Sequence, residues 1–331
     1  RITLAHGEGG RQMRRLLETV IHPLLGSPRS IRDAAHFQLR SQQLALTTDS
    51  FVVSPLFFPG GDIGKLAVHG TVNDLAVSGA IPRYLSLSLI LEEGLPLAIL
   101  EQVIRSIARA AQECEVEIIT GDTKVVPRGD ADGIYINTTG LGEVLEPAVP
   151  GPTSLQPGDA LLVTGPVGRH GIAILTAREQ LDLQPLLESD VAPLWPAVQA
   201  AHQAAGQHLR AMRDATRGGV TAVLHEWAME SKLTLSIQEQ LLPVHELTRS
   251  VCEVLGLEPL HLACEGTMLL SVSPEYAEAT VSALRQTSVA RQASIMGYVQ
   301  TRSIAPVTIR RLLNREQSLE EPSGSPLPRI C

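Results

Sequence analysis

Four prolines fall within "EPAVPGPTSLQPGD", residues 146–159. Each fixes its own φ and removes a backbone donor, so neither a helix nor a central strand runs through this stretch. The 331-residue chain is expected to divide there, and each part is long enough to bury its own core. That gives domains at 1–150 and 151–312. The remainder, 313–331, contains "NREQSLEEPSGSPLPRIC", which is polar and proline-bearing and reads as a flexible tail.

Hydrophobic spacing supplies the elements on either side. Met13, Leu16, Leu17, Val20, Ile21 and Leu24 recur at helical spacing, and Leu100, Val103, Ile104 and Ile107 mark a second helix near 97–111. "YLSLSLIL" (84–91) alternates leucine with smaller or polar residues, the pattern of a half-buried strand. Further short strands are expected at 116–120, 134–138 and 160–164, and a second α/β-type segment runs to about 310. Helices and strands are mixed in both parts.

Charge narrows the function. A formal net charge of −8 argues against nucleic-acid and anionic-membrane surfaces, and 3% aromatic residues leave little for base stacking. No window approaches a membrane span, and the first residues lack the apolar core of a signal peptide. Cys114, Cys252, Cys264 and Cys331 form no CxxC pair, so the expectation is free thiols in a reducing cytoplasm.

Four aspartates stand among small residues, after expected strands or at turns: Asp49 in "TTDS", Asp74 in "TVNDLAVSGA", Asp122 in "TGDTKVV" and Asp214 in "RDATRGGV". Any one of them suits a turn or a helix cap. As a set beside glycine-rich turns, they suggest hard oxygen ligands for magnesium on a nucleotide. No Walker A loop is present; "GGDIGKL" (60–66) is one residue short and has Leu66 where Ser or Thr should hold magnesium. "HGEGG" (6–10) and "TGPVGRHG" (164–171) each suit a phosphate cradle or a plain turn. Lys124 follows the "GDT" turn, and Glu265 sits in "ACEGTMLL" before an apolar run. Both are candidate chemical groups and equally candidate structural ion pairs. The histidines show no metal-ligand spacing.

Taken together, "HGEGG", the 47–96 block, "TGDTKVV", "INTTGLGE", "RDATRGGV" and "PLPRIC" resemble the HypE family, the carbamoyl dehydratases of nickel–iron hydrogenase maturation. The wider group includes aminoimidazole ribonucleotide synthetase, selenophosphate synthetase and thiamine-monophosphate kinase. The resemblance implies the fold class α+β, in a two-domain aminoimidazole ribonucleotide synthetase-like fold. Its N-terminal domain binds ATP and pairs its sheet in a homodimer, and its C-terminal domain is an α/β sandwich. It also implies ATP and Mg2+ as cofactors, nucleotide contacts from Gly9, Gly10, Lys65, Asn73, Thr123, Thr138 and Gly140, and metal contacts from the four aspartates. The implied partners are a HypF-type carbamoyltransferase and HypC/HypD-type proteins that carry the iron–cyanide unit. One departure stands out: "CEGT", Cys264–Thr267, replaces the family's expected "NEGK".

The resemblance gives the end of the sequence a role. A carbamoyl group placed on Cys331 would lose the elements of water at the expense of ATP and become a thiocyanate, with Lys124 and Glu265 as the candidate proton-handling groups. Extended at ~3.1 Å per residue, a proline-bearing tail spans roughly 50 Å, enough to reach its own site or a partner. Two alternatives are weighed against this. A selenophosphate-type enzyme would use a reactive cysteine near the N-terminus, and no cysteine precedes Cys114. A non-enzymatic scaffold would leave the aspartates and "GDTK" unexplained.

Overall fold

The computed structural model describes residues 1–7, 10–26, 34–181, 183–311, 315–321, 324, 327 and 329–331. The chain forms two compact units. One comprises Arg1–Leu75, Ala80–Val144 and Cys331; the other comprises Ala76–Gly79 and Leu145–Ile330.

In the first unit, helix α1 (Gly10–Leu16) runs through a π turn at Leu17–Ile21 into α2 (His22–Leu25). Strand β1 (Leu44–Phe51) and the small hairpin β2 (Phe57–Phe58) and β3 (Gly61–Asp62) lead to helix α3 (Ile63–Val77). Strand β4 (Ala80–Glu92), helix α4 (Leu97–Glu113), β5 (Glu117–Val126) and β6 (Ile134–Val144) complete it. The sheet order is β1-β6-β4-β5, antiparallel except for the β4–β5 pair. The leucines of "YLSLSLIL" do face one way: Leu85, Leu87, Leu89 and Leu91 are buried, and the residues between them are half-buried or exposed.

Helix α3 was not expected from periodicity. "IGKLAVHGTVNDLAV" is buried on nearly every side, so it carries no amphipathic stripe. Asp62 starts it, because its Oδ1 accepts the N–H groups of Gly64 and Lys65 and its Oδ2 accepts the Ser106 hydroxyl. Gly140 on β6 lets the helix approach the sheet. A Cβ there would stand 2.7 Å from Thr71 Cγ2 and 2.9 Å from Leu75 Cδ1.

The second unit is built on a seven-stranded sheet in the order β13-β12-β9-β11-β7-β10-β8. Its strands are β7 (Ala160–Val163), β8 (Leu209–Asp214), β9 (Thr234–Gln238), β10 (Met268–Val272), β11 (Ser294–Gln300), β12 (Val307–Arg310) and β13 (Glu316–Ser318). All neighbours are antiparallel except β12 and β9. Helices α5 (Arg169–Arg178), α6 (Trp195–Ala205), α7 (Gly219–Ser231), α8 (Glu246–Leu255) and α9 (Ala277–Arg285) complete the unit. Alternate residues of β7 and β10 feed two cores. Leu161, Val163 and Leu269 join Trp227 in one, while Ala160, Leu162 and Leu270 join Val198 and Val281 in the other. A strand covered on both faces has no polar side, which is why "ALLV" and "MLLSV" lack alternation.

Structure extends into the stretch expected to be a flexible tail. Glu316–Ser318 pairs with β12, Glu316 accepts the Thr308 hydroxyl, and Leu319 is buried with its N–H donated to Val307 O.

Candidate active site

The expected site residues gather in three places. The first is the face of the N-terminal sheet that α3 covers. Thr47, Asp49 and Phe51 point to this side from β1, and Thr138 points to it from the neighbouring β6. Thr47 donates its hydroxyl to Asp74 Oδ2 on α3 at 2.9 Å. Thr138 is buried, donates to Ala67 O at 3.2 Å and meets the Thr71 hydroxyl. Asn73 lies beside Asp74 and is also buried. The expectation of turn positions is corrected for these aspartates: Asp49 lies within β1 and Asp74 within α3. Lys65 donates its ammonium to Gly60 O at 3.1 Å, so its charge is tied to the turn that starts α3. Gly10 opens α1 at φ 77°, while Gly9 lies outside the described residues.

His69 on α3 is fully buried. Burial, and then the positive charge of Lys65, push its pKa down to about 3. Its Nε2 lies 3.3 Å from Glu113 Oε2, but a neutral imidazole makes this a polar contact and not an ion pair.

The second place is β5. The strand continues through "GDTK", so Asp122 is a strand residue and the expected turn is absent. Gly121 is needed for packing: a Cβ there would stand 2.2 Å from Leu87 O. Asp122 and Lys124 therefore share a face, with Oδ2 and Nζ 3.5 Å apart and side chains 61% and 66% exposed. The register aligns Asp122 with Ser88 and Thr123 with the buried Leu89. Thr123 accordingly points into the α3 and α4 side and is buried, while Asp122 and Lys124 project from the opposite face. Within this unit Asp49 and Asp122 lie on opposite faces of one sheet.

The third place is the loop before β10 in the second unit. Glu265 is buried, and Asp214, at the end of β8, is buried beside it, since Met268 pairs with Asp214 and Ala215 donates its N–H to Thr267 O. The loop is gripped by a residue that sequence patterns did not single out. Asp190 accepts the N–H of Glu265 at 3.1 Å, the N–H of Gly266 at 3.2 Å and the Thr267 hydroxyl at 3.2 Å. Cys264 is fully buried, its Sγ accepts the Gly168 N–H at 3.1 Å, and burial followed by the Asp190 charge pushes its thiol well up. "TGPVGRHG" is thus a tight strand–helix turn. Gly168 sits at φ 74°, where a Cβ would meet Pro259 O at 2.8 Å.

Cys331 is the one cysteine of the four that is not buried. Burial, then Glu113, pushes the Cys114 thiol up to about 12, and burial, then Glu258 and Glu253, pushes Cys252 up to about 11. Cys331 accepts the Val52 N–H on its carbonyl at 3.1 Å. In the second unit, His170 and Arg178 on α5 hold the carbonyls of Ile330 and Arg329.

Hard oxygen donors at Asp49 and Asp74 suit magnesium, which needs only one or two carboxylates when phosphate and water complete its shell. Among the described residues, no group of three or more His, Cys, Asp or Glu side chains forms an all-protein metal cage.

Comparison with known proteins decides the family. The AIR synthase related protein N-terminal domain matches residues 31–144, and the corresponding C-terminal domain matches 156–308. Carbamoyl dehydratase HypE of Escherichia coli K12 is 44% identical over 337 residues, covering 100% of this chain and 99% of that protein. HypE of Rhizobium leguminosarum is 42% identical over 333 residues, covering 100% and 95%. The chain belongs to the HypE family. A solved HypE in complex with ATP matches at a TM-score of 0.94 and 42% identity, over 100% of both chains. A HypE–HypF complex matches at 0.82 and 43% identity, over 84% of this chain and 90% of that one. Thiamine monophosphate kinase of Aquifex aeolicus, at 21% identity and a TM-score of 0.61, shares the fold. No helix among the described residues is long and apolar enough to cross a membrane.

For this HypE family member, the residues that pattern reading passed over are Asp190, Ser189 and His170. Each makes its contacts far along the chain, so no local spacing marks it. The one available signal was the run "ESDVAP", where three polar residues adjoin an apolar stretch.

Proposed function

We propose that this chain is an ATP-dependent carbamoyl dehydratase that converts a carbamoyl group on the Cys331 sulfur into a thiocyanate. The observation that carries the reading is full-length likeness to carbamoyl dehydratases, in a chain whose one unburied thiol is Cys331. An amide oxygen is a poor leaving group. When that oxygen takes the γ-phosphoryl of ATP, one N–H proton is lost and phosphate becomes the leaving group. Loss of the second N–H proton with departure of phosphate closes the C≡N bond. The products are S–C≡N, ADP, phosphate and one released proton. The thiocyanate carbon and nitrogen then supply a cyanide ligand for the iron of a nickel–iron hydrogenase.

Bound magnesium would neutralise charge on the transferring phosphoryl group, with Asp49 and Asp74 as its protein ligands and Asp122 and Asp214 as further candidates. Lys124, an exposed ammonium beside Asp122, suits electrostatic stabilisation of phosphate oxygens. Glu265, an enclosed carboxylate, suits proton abstraction from nitrogen. Asn73, Thr123, Thr138, Gly10 and Gly140 remain nucleotide-contact candidates. Thr123 and Thr138 turn their side chains inward, so any such contact from them runs through backbone groups.

A homodimer through the open face of the N-terminal sheet is part of the reading, since that face exposes Leu46 at 73% and Ile90 at 40%. A HypF-type carbamoyltransferase would load Cys331, and HypC/HypD-type proteins would receive the product. The deciding measurement is intact mass after incubation of the carbamoylated protein with ATP and magnesium. Loss of the mass of one water, mapped to Cys331, is the expected result; an unchanged mass overturns the reading and favours a scaffold.

A further inference from the structure

We infer that His170 is a positioning residue for the segment ending in Cys331, which it seats on α5 through the main-chain carbonyl of Ile330. The contact is short, with His170 Nε2 2.6 Å from Ile330 O, and the imidazole is fully buried. A carbonyl oxygen can only accept, so Nε2 carries the hydrogen. Nδ1 is then the acceptor, and it faces Ser189 Oγ at 2.8 Å. Ser189 Oγ is itself oriented, because it takes the Val191 N–H at 3.1 Å. The polar chain runs Val191 N–H to Ser189, Ser189 O–H to His170, and His170 N–H to Ile330 O, so Ser189 selects the tautomer that docks the tail. Burial lowers the His170 pKa against the opposing pull of Asp190 and Ile330 O, which agrees with a neutral ring.

Two further holds lie on the same helix. Arg178 donates from Nη2 to Arg329 O at 2.7 Å. Gly171 lies beside an apolar anchor, since a Cβ there would be in ordinary contact with Leu327 Cδ1 at 3.5 Å, and Leu327 and Ile330 are both buried. Gly171 and Arg178 lie seven residues apart, about two turns, on one side of α5, and His170 adjoins Gly171. The two polar holds read main-chain carbonyls and leave the Cys331 sulfur untouched. A group added to that sulfur therefore removes neither the donor nor the acceptor of these two hydrogen bonds.

The inference rests on the dehydratase reading only for its effect on turnover, and docking is measured without ATP. The full chain is treated with a carboxypeptidase, and release of Cys331 and Ile330 is followed by mass spectrometry. His170→Ala should speed release about fivefold, the size expected for one hydrogen bond. His170→Gln, whose amide can still donate, should recover part of the loss. Ser189→Ala and Arg178→Ala should each speed release as well. Val281→Ala, a core lesion away from α5, should lower thermal stability and leave release unchanged. Wild-type release from folded His170→Ala, or equal opening by Val281→Ala, overturns the inference. If His170→Ala does not fold, unchanged release in both Ser189→Ala and Arg178→Ala overturns it instead. With carbamoylated protein, His170→Gln should lower turnover while the KM for ATP stands. If wild-type protein forms no dehydrated product, the dehydratase reading falls and the release rates still decide the docking role.

Discussion

Asp122 and Glu265 are both acidic residues set beside glycine and a nearby threonine, yet they occupy opposite environments. Asp122 stands on a strand face that is exposed in the protomer, beside Lys124. Glu265 is enclosed in a loop whose backbone is clasped by Asp190. The thiols divide in the same way, with Cys331 partly exposed and Cys264 sealed. Exposed groups can take up and release partners at little structural cost. Enclosed groups hold the chain together, so changing them alters stability along with chemistry.

The sharpest test of the enclosed region is Gly266→Ala. A Cβ there would stand 1.9 Å from Asp190 O, a backbone atom that cannot swing aside. Denaturant unfolding should show a loss of more than ~4 kcal/mol, placing it among the exceptional substitutions. A loss near the ordinary level would show that the loop yields, breaking the contrast with β5. Asp190→Ala removes the acceptor for two backbone donors and one hydroxyl, and should cost about 3 kcal/mol. Asp190→Asn, which keeps one acceptor oxygen, should fall between that variant and wild type.

The exposed region should respond the other way round. Asp122→Asn should lower ATP turnover about 100-fold and shift unfolding free energy by less than about 0.5 kcal/mol. Equal losses of both would place Asp122 with the structural carboxylates. Alkylation in mildly alkaline buffer offers a parallel check on the thiols. Cys331 should be labelled, while Cys114, Cys252 and Cys264, all pushed up by burial, stay unmodified.

The smallest effect concerns Glu143, buried like Glu265 but fully engaged by the Arg40 and Ser41 N–H groups and by Arg83 at 2.7 Å. The Arg40 N–H is the main cause of its lowered pKa, with Arg83 and Ser41 adding to it. A carboxyl depressed in the folded state stabilises the fold above its ordinary unfolded pKa, and that gain disappears as pH falls through the depressed value. Glu143→Gln should therefore cost about 1 kcal/mol at neutral pH and nothing in strong acid, with ATP turnover unchanged throughout. A gap that widens on acidification would contradict the assigned sign.

What the sequence revealed follows the same division. Helix α4 and the 84–91 stretch of strand β4 were readable because their apolar residues recur at helical or alternate spacing, and Leu100, Val103, Ile104 and Ile107, like Leu85, Leu87, Leu89 and Leu91, are buried. Helix α3 was not, because a helix enclosed on all sides looks like an unpatterned apolar run. Gly121 reads as a strand-breaker beside Asp122, although its absent side chain is what lets β5 pass Leu87. Within the candidate site, Asp122 and Lys124 were singled out from "GDTK" as turn residues, but it is the continuing strand that brings these alternate residues onto one face. Asp190 and His170 were not, since folding alone joins Asp190 to Glu265 and His170 to Ile330.

The order of the seven-stranded sheet also bears on how the molecule is made. Among the described residues, strand β7 pairs only with β10 and β11, and β8 only with β10. A nascent chain leaving the ribosome can close the four-stranded sheet once residue 144 has emerged. It must then carry "ALLV" unpaired until residues 268–272 arrive. Through that interval a wholly apolar strand has no partner, and unpartnered apolar strands are where chains associate wrongly. Slow synthesis of the second half, or a break in the chain before β10, should therefore produce aggregates containing a folded N-terminal unit.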